Sequence, residues 1–570
     1  MHNMARKLLL REIKNLKWQR KLSTSVVFRK DDFIIKSTIP DIVVPQKRFI
    51  DRIWAESAAF KNHVALESAE TKKTYTYAQL EKYTASFATS LLKKFGLKSG
   101  DVVAVMLPNC PEFPVVALGC LQAGCVLTTV NPIYKEFELA HQLTITEPKL
   151  IVTIPECYDI VTKALNNSKM QAKIVLVDQA SKAVPNDVTR YSEVAEAGEV
   201  DFGVLDKVEK KGDDIACIPF SSGTTGLPKG VEITYSNLMA GMSIMHQPET
   251  CFPNIAHGDF QDILPAFLPF FHIYGFVIGL MGHLTMGCKL VTMAKFSANL
   301  YLDILKNQRS TLLYIVPPVA ILLGKHPDVN ENHYRDVRHI ICGAAPLSAS
   351  DVQAILEKSK RDIEFNQGFG MTETTSLGTS TFKGTKNVDF NACGVPMANI
   401  QLKFADPITG EAVPVGQSGE MYIRGPTVMK QYHKNPKATE ESMTKDGFFK
   451  TGDLGYFEPG AGLFITDRIK ELIKVKGMQV APAELESLLR SHPAVQDAAV
   501  IGVPHEFYGE APKAFIIRKN GLKISEEELQ DFVASKVAVY KKIEEVMFVE
   551  DIPKTASGKI LRKELKKMYA

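Results

Sequence analysis

"SSGTTGLPKGVE", residues 221–232, places four hydroxyls, three glycines, a proline and a lysine in one short run. It is too polar for a core and too patterned for a linker. The flanking stretches "DIACIPF" (214–220) and "VEI" (231–233) are strand-like, so the run reads as a loop between strands. A Walker A loop leads into a helix, whereas here Lys229 follows Pro228, precedes Gly230 and leads into a strand. The composition still suits phosphate. Glycines admit close backbone approach, hydroxyls donate to phosphate oxygens, and the lysine supplies a point charge.

Around this loop, apolar strands alternate with amphipathic helices. A helix over 77–95 precedes a strand at 102–107. Helices near 114–123 and 160–165 and strands at 149–154 and 173–178 follow. That alternation predicts a large, multi-subdomain α/β N-terminal domain of doubly wound type over residues 31–466. The last hundred residues differ. Pro482 opens a helix to Arg490, 498–503 reads as a strand, and Ser525 with Glu528 forms a capping box. They predict a small mobile α+β domain over 467–570, with a hinge near 465–472, where charges interrupt strand material. The apolar run 263–282 is long enough to span a bilayer, but Pro265, Pro269 and His272 break it into a strand and a buried helix.

The chain has 570 residues and net charge +4. Residues 1–30 carry nine Lys/Arg against one acid, or +8, which leaves −4 for the remainder. The body is therefore no basic nucleic-acid binder. The basic start, with Leu9, Ile13 and Leu16 at helical spacing, reads as a mitochondrial transit peptide, with a disordered or membrane-surface arm as the alternative. The C-terminal "KMYA" is not of the peroxisomal S-K-L type, so cytoplasmic or peroxisomal residence would need another address. The nine cysteines show no metal-site spacing and read as reduced thiols.

Five further stretches accompany the loop: "FLPFFHIYGF" (267–276), "NQGFGMTETT" (366–375), "FFKTGD" (448–453), "TDRIKELIKVKGMQVAPAELE" (466–486) and "PKTASGKILRK" (553–563). Together and in this order they resemble the core motifs of the acyl-adenylating superfamily, closest to 4-coumarate–CoA ligase, firefly luciferase and related acyl-CoA synthetases. The resemblance implies that a carboxylate attacks the α-phosphorus of ATP to give acyl-AMP and pyrophosphate, after which coenzyme A displaces AMP. It implies ATP, Mg²⁺ and coenzyme A, a small carboxylic acid as partner, and neither nucleic acid nor a membrane span. Oligomeric state is not implied.

Residue by residue, the resemblance makes Ser221, Ser222, Gly223, Thr224, Thr225, Gly226 and Lys229 a pyrophosphate clamp. Thr372 becomes a phosphate contact and Glu373 a Mg²⁺ ligand. Asp453 and Arg468 take the ribose, while the run "GAAP" (343–346, with Gly343 and Ala345), Gln367 and Gly368 line the adenine and acyl-adenylate. His272 is placed beside the acyl carboxylate, with Tyr274 and Ile278 in the acyl pocket. Lys559 serves adenylation, Lys470 and Lys474 face the adenylate, Lys295, Lys476 and Gly477 contact coenzyme A, and Asp467 is the hinge. The sequence departs from the pattern at Phe369 for tyrosine, Gln431 for glycine and Val475 for an aromatic, none of which removes a charged group.

Acyl-CoA formation is the leading expectation, with a medium or long fatty acid as substrate and an aromatic acid as runner-up. Transfer to a carrier protein and luciferase-like oxidation are the enzymatic alternatives. A non-catalytic nucleotide-binding protein is opposed by the intact Lys229, Glu373, Asp453, Arg468 and Lys559.

Overall fold

The computed structural model describes residues 28–29, 33–177, 185, 188–221, 228–345, 347–475, 478–505, 507–537, 539–555 and 558–569. The basic N-terminal stretch through residue 27, the clamp residues 222–227, and Lys476 and Gly477 lie outside them.

The predicted alternation produces a nine-stranded sheet. Its parallel middle runs Ile215–Cys217, Val126–Thr129, Val102–Met106, Leu150–Thr153 and Lys173–Leu176, and the strand Lys229–Thr234 joins antiparallel beside Ile215–Cys217. The connecting helix Tyr77–Lys93 begins at a capping box in which Thr76 and Gln79 satisfy each other's backbone groups. A second, five-stranded sheet has the parallel strands Leu312–Ile315, His339–Cys342 and Glu364–Phe369. A six-stranded antiparallel sheet ends in the hairpin Phe449–Glu458/Gly462–Arg468. Carboxyl ends of parallel strands from the two large sheets face a common crevice, the usual ligand position in such folds.

The small domain is a five-stranded sheet with helices Pro482–Arg490, Glu526–Ala534 and Arg562–Tyr569. It has its own apolar clusters, one around Leu485, Leu529 and Ile516 and another around Phe515 and Leu565. The strand Gly462–Arg468 still belongs to the large domain's sheet, so the expected hinge residue Asp467 sits at its end, and the next strand, Ile473–Val475, belongs to the small domain.

The apolar run over 263–282 becomes the strand Ile263–Ala266, a loop, and a π-helix Tyr274–Gly282. Among the described residues no helix is long and apolar enough to cross a membrane. The loop is held from outside. The buried Asn109 side chain donates to the carbonyls of Ala266 (2.9 Å) and Leu268 (2.8 Å) and accepts from the amide of Phe270 (2.8 Å). Thr129 donates to the Phe271 carbonyl at 2.7 Å. Gly275 lets the chain double back, since a Cβ there would lie 2.0 Å from the Pro269 carbonyl oxygen. Gly275→Ala is therefore expected to cost ~1–3 kcal/mol as overpacking against backbone. Thermal unfolding should show a lower midpoint, and an unchanged midpoint would mean the loop yields freely.

Candidate active site

Two spaces meet in the crevice. The larger, about 420 Å³, is a polar cleft lined by Ser221, Lys229, Thr372, Glu373, Arg468, Lys470 and Lys559 among others. The smaller, about 90 Å³, is an apolar chamber walled by Met245, Tyr274, Ile278, Gly343, Gly368 and Leu377 among others. His272, Ala344, Gly370 and Met371 line both and form the doorway between them.

The clamp loop springs from a hairpin neck, in which Phe220 pairs with Gly230 and Ser221 with Lys229. Sequence reasoning expected a strand after Lys229, and the strand begins at that residue. The neck is braced by His141, whose Nε2 lies 3.1 Å from the Pro228 carbonyl, and by the strand Gln431–Tyr432, which pairs with Val231 and Glu232. Lys229 holds its ammonium 4.7 Å from the centre of the Tyr432 ring.

Thr372 and Glu373 are buried on a single 3₁₀ turn after the strand Glu364–Phe369. Asp453 and Arg468 are cross-strand partners, joined by a 3.0 Å ion pair through Asp453 Oδ1. Asp453 Oδ2 is buried without a hydrogen-bond partner. An orphaned carboxylate oxygen on a buried acid is costly; Asp453 itself lines neither space, and its ion-pair partner Arg468 is the member of the pair on the cleft. Burial raises the Asp453 carboxyl, while Arg468 and Lys559 oppose the rise.

His272 keeps one side open to the cavities while protein packs around the rest. Its Nδ1 accepts from the Tyr274 amide at 3.2 Å, which leaves the proton on Nε2. Burial lowers its pKa to about 4. The doorway histidine is thus a neutral hydrogen-bond donor across the physiological range. Lys559 is brought to the cleft by the small domain, and burial beside Arg468 lowers its pKa to about 8.

Among the described residues no three His, Cys, Asp or Glu side chains cluster as a metal cage. Glu373 is a buried carboxylate on the cleft, with Oε1 accepting from the Tyr432 hydroxyl at 2.9 Å. One fixed carboxylate beside a phosphate site fits Mg²⁺, which takes few protein ligands and completes its shell with phosphate oxygens and water.

Several expected positions fall elsewhere. Gln367, expected at the adenine, turns its amide to the Phe390 carbonyl and lines neither space. Of the expected run 343–346, Gly343 walls the chamber and Ala344, whose φ is positive (75°), lines both spaces, while Ala345 lines neither. Lys474, expected at the adenylate, and Lys295, expected at coenzyme A, are exposed and line neither space. Asp467 is buried and accepts from the Arg468 (2.7 Å) and Ala483 (2.9 Å) amides, and burial pushes its pKa up to about 7 against the pull of Arg562. Sequence reasoning missed Asn109, Met245 and Tyr432. Met245 walls the chamber and covers Gly282, where a Cβ would lie 1.7 Å from the Met245 methyl. The position of Asn109 at the carboxyl end of a parallel strand was the one signal available.

Residues 53–433 match the AMP-binding enzyme family, and 484–559 match its C-terminal domain. The chain is 36% identical over 545 residues to 4-coumarate–CoA ligase 2 of Nicotiana tabacum, covering 95% of this chain and 98% of that one. It superimposes on ATP-bound MatB from Rhodopseudomonas palustris with a TM-score of 0.81 at 27% identity, covering 92% and 99% of the two chains. With apo MatB, at the same identity and coverage, the score is 0.72. The chain belongs to the AMP-binding enzymes. It is an AMP-forming acid–thiol ligase that uses ATP and Mg²⁺ and carries its acyl group through an adenylate to coenzyme A.

The lowered pKa of Lys559 has a kinetic consequence. The ammonium is the form that meets anionic groups, and it is lost as pH rises through about 8. kcat/KM for ATP, followed by pyrophosphate release, should fall on that alkaline limb. Lys559→Arg keeps the charge, so its limb should move upward, and a limb that stays in place would exclude Lys559 as its source.

Proposed function

We propose that this protein joins a compact aromatic carboxylic acid of the arylpropenoate kind to coenzyme A. The observation that carries this reading is the chamber beyond His272. Its open space, about 90 Å³, is below the ~150 Å³ of an engineered core cavity that holds benzene. A ring therefore enters only by lying partly in the doorway and pushing aside the flexible Met245 and Met397 of the wall, and a long alkyl chain would need far more room. The tobacco relative, a 4-coumarate–CoA ligase by name, supports the same class. The Tyr274 hydroxyl, buried at this wall without a hydrogen-bond partner, suits a substituted ring. A medium-chain fatty acid is the second reading, favoured by the greasy, pliable walls of Ile278, Leu377, Met245 and Met397.

In this reading the acid's carboxylate lies in the doorway, where His272 Nε2–H donates to one oxygen and leaves the other free. That oxygen attacks the α-phosphorus of ATP, the bond to the bridging oxygen breaks, and pyrophosphate leaves into the loop at Lys229. Lys559 neutralises charge shared between carboxylate and α-phosphate. Asp453 and Arg468 hold the ribose, and Thr372 a phosphate oxygen. Mg²⁺ on Glu373 would neutralise the phosphates. Such preorganised donors supply most of the rate when the transition state spreads its charge. The thiol step belongs to a second arrangement, in which the small domain turns at Asp467. Lys559 then leaves, and Lys474, Lys476 and Gly477 arrive with Lys295 near the entering coenzyme A. The exposure of Lys474 and Lys295 here, and the closer likeness to ATP-bound than to apo MatB, support this order.

A panel of acids assayed by pyrophosphate release should rank cinnamate-type acids first and medium-chain fatty acids next. Best turnover with palmitate would overturn the aromatic reading. Lys559→Ala should block acyl-AMP formation yet still convert supplied acyl-AMP and coenzyme A to thioester. Equal loss of both half-reactions would sink the alternation. The basic stretch 1–30 supports a mitochondrial address, and a fusion of residues 1–35 to a fluorescent protein should enter mitochondria rather than remain diffuse in the cytosol.

A further inference from the structure

Lys229 and Glu373 carry opposite charges into the same cleft, yet no ion pair joins them among the described residues. Tyr432 stands between. Its ring faces the Lys229 ammonium at 4.7 Å, and its hydroxyl donates to Glu373 Oε1 at 2.9 Å. The side chain is buried, which fixes both contacts in place. We propose that Tyr432 is a positioning residue for adenylation, holding the Glu373 carboxylate and the Lys229 ammonium apart and aimed at the nucleotide's metal and phosphates.

The surrounding backbone makes this geometry stiff. The Met429 amide donates to the Glu373 carbonyl at 2.8 Å, and the Lys430 amide to the Glu232 carbonyl at 2.9 Å. The Tyr432 amide donates to Thr439 Oγ1 at 3.0 Å, and the His433 amide to the Gly230 carbonyl at 2.8 Å. The His433 Nδ1 then meets the buried Glu232 Oε1 at 2.7 Å. Residues 429–433 therefore tie the turn bearing Glu373 to the strand that begins at Lys229. Tyr432 is the side chain in that tie which reaches both functional groups.

The physical need is charge separation. An ammonium and a carboxylate in contact inside a partly desolvated cleft would satisfy each other and turn away from the ligand. A phenol satisfies both at once. Its π-face attracts the cation, and its hydroxyl occupies one carboxylate oxygen, leaving Oε2 for the metal. Hydrogen-bond partners of metal-binding carboxylates fix their orientation, and losing one typically costs about 10–100-fold in metal affinity or activity.

This inference rests on the assignment of Lys229 and Glu373 to the nucleotide's phosphates and metal, and the experiment separates the two. Mn²⁺ binding by the full-length enzyme with ATP is followed through the electron paramagnetic resonance of free Mn²⁺. Tyr432→Phe keeps the ring and removes the hydroxyl, so it should weaken Mn²⁺ binding about tenfold and lower kcat/KM for ATP similarly. KM for the acid, and thioester formation from supplied acyl-AMP and coenzyme A, should stay within about twofold of wild type, since neither involves the metal. If Tyr432→Phe leaves Mn²⁺ binding unchanged while Glu373→Gln weakens it, the positioning role falls and the metal assignment stands. If Glu373→Gln also leaves it unchanged, the metal assignment itself falls. Equal slowing of both half-reactions in Tyr432→Phe would mark a structural role and overturn the proposal.

Discussion

The site exists because one buried amide ties two sheets together. Asn109, at the end of a parallel strand of the nine-stranded sheet, spends its side chain on three backbone groups of the 266–270 loop. That loop follows a strand of a different sheet and delivers His272 to the doorway. A loop here has buried carbonyls and amides that no strand pairing can satisfy, and each left unpaired would cost ~1–3 kcal/mol. Asn109, with one donor group and one acceptor aimed in fixed directions, removes that cost and fixes the histidine's height above the chamber.

From the doorway outward, environment decides the role of each ionisable group. Desolvation lowers both His272 and Lys559, but to different ends. The histidine loses its charge and stands as a neutral donor between the two spaces. The lysine stays close to its titration point, where a neighbouring anion decides its state. Asp453 keeps one oxygen on Arg468 and the other unpartnered, so it is tethered but not satisfied. Groups held in this way gain more from a ligand than groups already paired.

Much of this was legible in the sequence, and the rest was hidden for identifiable reasons. The glycine- and hydroxyl-rich run declared a hairpin-borne loop because its residue types restrict backbone and chemistry together. Pro482 and Ser525 marked helix starts through local rules that need no tertiary context. Asn109 and Tyr432 act on partners 157–161 and 59 residues away, so no window of sequence contains their meaning. Which alanine of the 343–346 run faces the doorway was hidden, because a left-handed backbone turn at an alanine has no compositional signal. The π-helix was read simply as a buried helix, since a run apolar on all sides has no periodicity to reveal its wider turn. The exposure of Lys474 depends on how the small domain sits in the fold, which no local stretch of sequence states.

The depth of the chamber depends on very little material. Met245 lies across Gly282, and that single methyl against a bare backbone carbon closes part of the wall. Neither residue carries charge or touches the polar cleft. Exchange at these two positions can lengthen, shorten or bend the space for the acid while the adenylating groups stay as they are. The wall of the chamber and the charged groups of the cleft are therefore physically separable parts of the fold.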